Sequence, residues 1–161
     1  YMPVSYDVIE DVFEQYKPAG FNHFIDIGCG KGRAMCVAAQ LGARKITGID
    51  FSKDFCDQSK LNLLKTQQQF PQLQFSVLNN DAFYYEIPAD ADCIFMFNPF
   101  DEVIMSGVIE NIEMSLEAHP RPISIIYANP MQKHLFLEAG YKEVYHTKKM
   151  KYLEAVVLQK K

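Results

Sequence analysis

One acid and three glycines alternate along a short stretch of the sequence: Asp26, Gly28, Gly30 and Gly32. The acid lies within an apolar run, residues 23–27, that is typical of a buried strand, and the glycines follow it. Glycines after a strand let a ligand lie against the backbone, because no side chain stands in the way. The acid adds a negative charge to that contact. The stretch therefore predicts a binding site whose ligand offers something for a carboxylate to hold.

The spacing of these glycines argues against two common phosphate-binding loops. A triphosphate-binding loop requires GxxxxGK[ST], but Lys31 lies between two glycines and is followed by Gly32 rather than Ser or Thr. A dinucleotide loop requires GxGxxG, and its third glycine would fall on Arg33, where close helix–strand packing disfavours a large side chain. The N-terminus of the next helix still attracts an anion, but a carboxylate satisfies it as well as a phosphate.

Three more polar segments follow successive predicted strands. Asp50 ends the second strand, Asp81 comes shortly after the third, and Asn98-Pro99-Phe100 follows the fourth. Ligands of doubly wound sheets bind at the carboxyl ends of the strands. We therefore expect these segments and the glycine loop to form one site.

The alternation of acid and glycines resembles motif I of the class I S-adenosylmethionine-dependent methyltransferases. The resemblance implies that Asp26 receives the ammonium group of that cofactor, directly or through water. It also implies that Gly28, Cys29, Gly30 and Gly32 run close to the methionine part and the ribose. The cofactor has a carboxylate, an ammonium and a sulfonium but no phosphate, which agrees with the excluded loops.

The resemblance extends to the later loops and covers nearly the whole chain beyond residue 20. It implies that Asp50 accepts hydrogen bonds from both ribose hydroxyls. It further implies that Asp81 accepts one from the adenine amino group and that the Ala82 backbone amide meets a ring nitrogen. Phe51 and Phe83 are expected to flank the adenine ring.

Taken alone, each of these residues has a simpler interpretation. Asp50 suits a helix N-cap and Asp81 suits a turn, and Asn79 and Asn80 compete with Asp81 for its role. A lone glycine loop can be only a tight turn. Matches at the ends of successive strands favour a common cofactor site over separate accidents.

The segment Asn98-Pro99-Phe100 resembles the [DN]PP[YF] motif of amino-group methyltransferases, although it has one proline where the motif has two. In that family the Asn or Asp side chain and the first proline's carbonyl accept hydrogen bonds from the target nitrogen, and the aromatic ring stacks on a planar substrate. The resemblance implies a catalytic role for all three residues and a cofactor contact for Asn98. The alternative is structural: Asn98 and Pro99 shape the turn, and Phe100 covers the cofactor.

Strands and helices alternate along the sequence, and the strands are continuously apolar. This pattern predicts an α/β fold: a doubly wound, mostly parallel, seven-stranded sheet with helices on both faces and an antiparallel C-terminal hairpin. Residues 79–90 contain Pro88 and are too short for a full helix. The predicted strands are 23–27, 45–50, 73–78, 92–97, 123–128, 141–148 and 152–159. The predicted helices are 6–16, 32–41, a helix capped by Ser52 that runs to residue 69, a helix from 101 or 102 to 118, and 131–139.

The size and composition of the chain predict a single domain over residues 1–161. Its N-terminal helix, within residues 1–20, is expected to cover the cofactor through Tyr1, Tyr6 or Phe13, of which Phe13 suits the core equally well. The four cysteines form no CxxC pair, and no metal site is predicted. No apolar run is long enough to span a membrane and no signal-peptide pattern is present, so we expect a cytoplasmic protein.

The sequence therefore predicts an S-adenosylmethionine-dependent methyltransferase with an unidentified acceptor, which is a small molecule, a protein or RNA. The net charge of -4 counts modestly against nucleic acid. Two alternatives remain open: a non-catalytic module that binds the cofactor or a partner, and an NAD-dependent oxidoreductase, which shares the acid at Asp50 but lacks its glycine spacing. The oligomeric state is left open.

Overall fold

The computed structural model describes residues 6–97, 100–149 and 154–160. Within them the chain forms five α-helices and seven strands, and a 3-10 turn at Pro18–Gly20 follows the first helix. The helices are α1 (Tyr6–Gln15), α2 (Arg33–Gln40), α3 (Lys53–Gln69), α4 (Glu102–Ala118) and α5 (Lys133–Glu138). The strands are β1 (Phe24–Ile27), β2 (Lys45–Asp50), β3 (Gln74–Asn79), β4 (Cys93–Phe97), β5 (Ile123–Ala128), β6 (Lys142–Lys148) and β7 (Glu154–Lys160).

The strands form one sheet in the order β3-β2-β1-β4-β5-β7-β6. The first five strands are parallel, and β7 runs antiparallel to both β5 and β6. This confirms the predicted seven-stranded, mostly parallel sheet with its antiparallel C-terminal pair. The chain reverses its winding direction between β1 and β4, which places a crevice at their carboxyl ends.

The central strands are buried on both faces, which explains why their sequences are apolar without alternation. Every residue of β1 and β5 is buried, whereas β3 at the sheet edge is largely exposed. One apolar core lies between the sheet and helices α1, α2 and α3, and a second lies on the opposite face beneath α4 and α5. The helices thus cover both faces and leave the strand ends open for function.

Side-chain caps set the start of the two longest helices. Ser52 accepts a hydrogen bond from the Phe55 amide at the start of α3, and Asp101 accepts one from the Ile104 amide at the start of α4. The helix α2 begins one residue later than predicted, because Gly32 has a left-handed backbone conformation and precedes the first helical residue. The bounds of β2 and β5 agree with the prediction, and the other element boundaries differ from it by at most two residues. Residues 152 and 153 of the last predicted strand lie outside the described residues.

Residues 80–92 connect β3 to β4 without a helix, as the sequence predicted. The guanidinium group of Arg121, just before β5, holds this segment in place. It donates hydrogen bonds to the carbonyl oxygens of Pro88 and Ala91, and others to the Ser115 side chain and to the Ser115 and His119 carbonyls. One cation thereby replaces part of the packing that a connecting helix would provide.

The amino ends of the strands are joined by a polar network around His23. Its ring lies 2.8 Å from Asp90 through Nδ1 and 2.7 Å from Thr47 through Nε2. Asp90 also forms an ion pair with Lys45. The Asp92 carboxylate accepts hydrogen bonds from the amides of Asn22 and His23. This network links the starts of β1, β2 and β4.

No helix among the described residues is both long enough and apolar enough to cross a membrane.

Candidate functional site

The glycine loop, residues 28–32, lies over the carboxyl ends of β1 and β2. The amides of Gly28 and Cys29 both donate to the Ile49 carbonyl, each at 2.9 Å, which ties the loop to β2. Gly28, Gly30 and Gly32 have φ angles of 79°, 55° and 91°. L-residues rarely adopt such conformations, so the alternating glycines are a requirement of the turn.

Asp50 connects the end of β2 to this loop. Its Oδ2 accepts the Gly30 amide and its Oδ1 accepts the Ser52 amide, each at 2.9 Å. Both oxygens are therefore fixed in direction, and each still has a lone pair that can accept a further hydrogen bond. A carboxylate held in this way is prepared to accept two neighbouring hydroxyl groups.

Asp26 lies beneath the loop and is only 3% exposed. No hydrogen bond from the part of the chain that the structure describes reaches its carboxyl group. Burial, and secondarily the negative charge of Asp50, raises the pKa of Asp26 to about 8. A buried carboxylate without a partner is costly, so this group favours either a proton or a cationic ligand.

The third segment follows β3 and turns at residues 81–84. Asp81 accepts the Phe83 amide at 2.9 Å through one carboxylate oxygen. Among the described residues nothing accepts a hydrogen bond from the Ala82 amide, so this donor remains available. Asn79 and Asn80 were the alternatives to Asp81. The side-chain amide of Asn79 already donates to the carbonyls of Asp50 and Phe51. The arrangement is compatible with the roles expected of Asp81 and Ala82.

The two aromatic residues expected at the adenine ring differ in their surroundings. The Phe51 side chain is 84% exposed at the end of β2. The Phe83 ring packs against Gly107 of α4, where an added Cβ would lie 2.4 Å from the ring. Asn111, one turn further along α4, donates to the Phe83 carbonyl at 2.8 Å. Phe51 is thus the side chain with more freedom to meet a ligand.

The three segments come together because their strands are neighbours, which the sequence pattern anticipated. The polar residues of α3 and α4 that support them were not anticipated: Ser59 and Asn62 contact the glycine loop, and Asn111 contacts the turn after β3. A polar residue in the buried stripe of α3 was the available signal for Ser59, since the stripe also contains Cys56, Leu63 and Thr66.

Asn98 and Pro99 lie outside the described residues, so the structure leaves their predicted role as a prediction. Phe100 is half-buried and packs against the core beneath α4. It is followed by Asp101, which caps α4. The predicted acceptor segment is therefore joined directly to the helix that supports the turn after β3.

Helix α1 is fixed to the molecule at both faces. Phe13 is buried in the core, where its ring meets Phe24, so it packs rather than covers a ligand. Asp11 accepts hydrogen bonds from the side chains of Tyr145 and Thr147 on β6. Tyr6, at the start of α1, lies beneath the guanidinium of Arg33, 4.4 Å from the ring centroid. Since Arg33 begins α2, Tyr6 is placed beside the glycine loop; Tyr1 lies outside the described residues.

Residues 25–123 match a family model described as a methyltransferase domain. The match includes β1 to the start of β5 and takes in more than half of the chain. The chain belongs to this methyltransferase domain family. The resemblance expected from the glycine loop is thereby confirmed. The sequence of this chain matches no curated protein.

Solved structures share the fold of the methyltransferase domain at low sequence identity. A ribosomal protein L11 methylase from Lactobacillus delbrueckii subsp. bulgaricus superposes with a TM-score of 0.70 at 13% identity, over 96% of this chain and 77% of the other. A methyltransferase from Aquifex aeolicus superposes with a TM-score of 0.68 at 17% identity, over 94% of this chain and 88% of the other. Magnesium protoporphyrin IX methyltransferase from Synechocystis PCC 6803, with bound S-adenosylmethionine, has a TM-score of 0.65 at 15% identity, over 95% of this chain and 75% of the other. The fold is that of the S-adenosylmethionine-dependent methyltransferases.

Proposed function

We propose that this domain binds S-adenosylmethionine and transfers its methyl group to an acceptor. The main support is the Asp26 carboxyl group, which is buried beneath the glycine loop without a hydrogen bond from the described residues. An ammonium group would compensate its buried charge, whereas the phosphates of a dinucleotide would repel it. Structural relatives contain S-adenosylmethionine or S-adenosylhomocysteine, which supports the same ligand class.

The other residues fit the remaining parts of this cofactor. Asp50 has both oxygens oriented by amides and retains capacity for the two ribose hydroxyls. Asp81 suits the amino group of adenine, and the Ala82 amide, which donates to no acceptor in the described part of the chain, suits a ring nitrogen. Phe51 has an exposed ring that suits the adenine face. NAD shares the adenosine part that these residues suit, so it is the glycine spacing and the buried Asp26 that make a nicotinamide cofactor the weaker alternative.

We further propose an amino nitrogen as the acceptor, on the resemblance of the segment 98–100 to the motif of amino-group methyltransferases. The bound cofactor supplies a methyl group made electrophilic by its sulfonium. The chain contributes positioning: Asn98 and the Pro99 carbonyl accept hydrogen bonds from the nitrogen, so that its lone pair faces the methyl carbon. Phe100 stacks on the acceptor when it is planar. No strong base is required, since the neutral amine is the nucleophile.

Calorimetry tests the cofactor. We expect S-adenosylmethionine and S-adenosylhomocysteine to bind with 1:1 stoichiometry and NAD not to bind at the same concentration. If neither adenosyl ligand binds, the proposed function is wrong. Equal affinity for NAD would favour the oxidoreductase alternative.

Transfer of a labelled methyl group tests the activity. The donor is S-adenosylmethionine with a tritiated methyl group, and the acceptor pools are free amines, peptides with lysine or a free N-terminus, and total RNA. Asn98→Ala is expected to reduce turnover more than cofactor affinity, and Asn98→Asp to retain more turnover, because it keeps the acceptor oxygen. Tight cofactor binding with no transfer to any pool would favour the non-catalytic module.

A further inference from the structure

We infer that Ser59 and Asn62 of α3 are positioning residues for the cofactor: they fix the carbonyl groups of the glycine loop and, through Gly30, the carboxylate of Asp50. This inference rests on the proposed function, since it assigns a binding role to residues that contact no reacting atom. The two residues lie behind the glycine loop on a helix that carries none of the sequence motifs.

Ser59 is completely buried against the loop. Its side chain is 0% exposed, and its hydroxyl donates to the Gly30 carbonyl at 2.6 Å. A buried serine on a helix usually bonds to its own helix. Here the hydroxyl instead reaches 29 residues back along the chain to the loop. Without Ser59 the carbonyl would keep, among the described residues, only the long contact from Cys29 Sγ, 3.9 Å away, or would rotate toward the ligand.

Gly30 is consequently held at both of its backbone polar groups. Its amide donates to Asp50 Oδ2 at 2.9 Å, and its carbonyl accepts from Ser59. The two bonds have a common consequence. If the Gly30 carbonyl is released, the loop can turn, the Gly30 amide leaves Asp50, and one oxygen of the ribose-binding carboxylate loses its fixed direction.

Close packing adds to this restraint. A Cβ at Gly32 would lie 3.1 Å from Ser59 Oγ and 3.3 Å from Ser59 Cβ. The third glycine of the motif is therefore needed for two reasons: a left-handed φ of 91° and the close approach of α3. The serine and the glycine together set the distance between helix and loop.

Asn62 repeats the same contact one helical turn later. Its side-chain amide donates to the Lys31 carbonyl at 2.9 Å. Ser59 and Asn62 are three residues apart, so they lie on one side of α3. Two successive loop carbonyls, those of Gly30 and Lys31, are thus directed toward the helix.

The expected consequence concerns affinity. A loop that is only partly populated in its binding conformation reduces apparent affinity by that fraction. Removal of the Ser59 hydroxyl should therefore weaken every ligand that uses Asp50, in equal proportion. Ligands with and without an amino-acid part should both be affected, because both use the carboxylate of Asp50 for the ribose.

The experiment compares two probes, S-adenosylhomocysteine and 5′-methylthioadenosine, which has the ribose and adenine but no ammonium. In calorimetry, Ser59→Ala is expected to reduce the affinity for each probe about tenfold. Asn62 is exposed, so Asn62→Ala is expected to reduce each affinity only about threefold. Asp26→Asn should weaken only S-adenosylhomocysteine. The matched control is Thr66→Val, which removes another buried hydroxyl of α3 that donates within the helix, to the Asn62 carbonyl; its affinities should remain within twofold of the wild type.

Amide hydrogen exchange of Gly30, measured by NMR in the ligand-free protein, gives an independent test. Ser59→Ala should accelerate it and Thr66→Val should not. Wild-type affinities together with unchanged Gly30 exchange in Ser59→Ala would overturn the inference while leaving the proposed function intact. If the wild type binds neither probe, the proposed function fails, and Gly30 exchange still decides whether Ser59 holds the loop. Should Ser59→Ala not fold, Asn62→Ala decides through the same two probes and the exchange of Gly32.

Discussion

The two ends of the parallel strands provide opposite surroundings for an acid, one exposed and paired and the other buried. At the amino end, Asp90 pairs with Lys45 and His23, and hydrogen bonds from those two residues lower its pKa to about 2. At the carboxyl end, Asp26 is more deeply buried and has no hydrogen bond from a described residue, so its pKa rises to about 8. One acid has its partners within the chain, and the other has a place for a partner from outside.

The difference separates stability from function within one sheet. Polar groups at the amino end are satisfied in the folded chain, so they contribute to its free energy of unfolding. Polar groups at the carboxyl end keep unused capacity, which costs stability and is recovered when a ligand binds. Substitutions at the two ends should therefore change different measured quantities.

The largest expected effect is on affinity at Asp50. Asp50→Ala removes a charged acceptor from the ribose hydroxyls and should reduce affinity for S-adenosylmethionine by about 1.5–3 kcal/mol, or about 10- to 150-fold. Calorimetry measures it directly. Asp90→Ala is the control at the opposite end and should leave the affinity unchanged. If Asp50→Ala binds the cofactor as tightly as the wild type does, Asp50 does not bind the ribose hydroxyls.

The second effect is a pH dependence of binding through Asp26. In the free protein its pKa is about 8, and an ammonium ligand lowers it, so binding releases a proton below pH 8. Affinity for S-adenosylmethionine should therefore rise by up to about tenfold per pH unit toward pH 8. Above that pH the gain should end, because Asp26 is already ionised in the free protein, and the affinity should then fall as the amino group of the ligand loses its proton.

Asp26→Asn should abolish this dependence, since the amide does not titrate. Calorimetry in two buffers of different ionisation enthalpy measures the released proton. If the wild type takes up or releases no proton at pH 7, Asp26 does not change its protonation state when the cofactor binds.

The third effect is on stability at Asp90. Its folded-state pKa is lower than its unfolded value, so its contribution is present above about pH 4 and is lost as the pH falls toward 2. The side chain is 46% exposed, which limits the gain. Asp90→Asn should lower Tm at pH 7 by about 3 °C, equivalent to about 1 kcal/mol.

In the ligand-free protein, ionisation of Asp26 has the opposite effect on stability from ionisation of Asp90. Its raised pKa means that it costs stability as the pH rises from about 4 to about 8, so Asp26→Asn should raise Tm at pH 8 relative to the wild type. Thermal unfolding of both variants from pH 3 to pH 8 compares the two ends directly. If Asp26→Asn and Asp90→Asn changed Tm in the same direction, the two ends of the strands would not differ in the way described.

The smallest effect is expected at Gly107, where α4 meets the turn after β3. In Gly107→Ala the new Cβ would lie 2.4 Å from the Phe83 ring, which must move, and the turn behind Asp81 moves with it. We expect a loss of affinity of about threefold with little change in Tm. Gly20→Ala is the matched control, since nothing lies within 4 Å of its added Cβ. The double variant Gly107→Ala with Phe83→Ala should regain part of the affinity if the clash is the cause.

The sheet and the strand-end position of the site were predictable from sequence because both follow from periodicity and topology. Continuous apolar runs indicated buried parallel strands, and their polar ends had to converge at one edge. The missing helix in residues 80–92 was also predictable, because Pro88 and the short length disfavour a full helix there.

The supporting residues could not be predicted in the same way. Whether Ser59 faces the core or the loop depends on the rotation and height of α3, which the pattern of apolar residues fixes only approximately. The contacts of His23 were not predictable either, since a histidine at the start of an apolar strand gives no local indication of Asp90 or Thr47. That no described residue donates a hydrogen bond to Asp26 is a consequence of packing, which the spacing of the motif does not specify.

The Arg121 guanidinium has a consequence for the order in which the chain is built. It fastens the carbonyls of residues 88 and 91, about thirty residues earlier in the chain. During synthesis, the segment that ends at residue 92 emerges well before the residue that holds it. We therefore expect the adenine side of the pocket to be completed late, once α4 and the start of β5 have left the ribosome, whereas the glycine loop has its supporting helix available as soon as residue 69 has emerged.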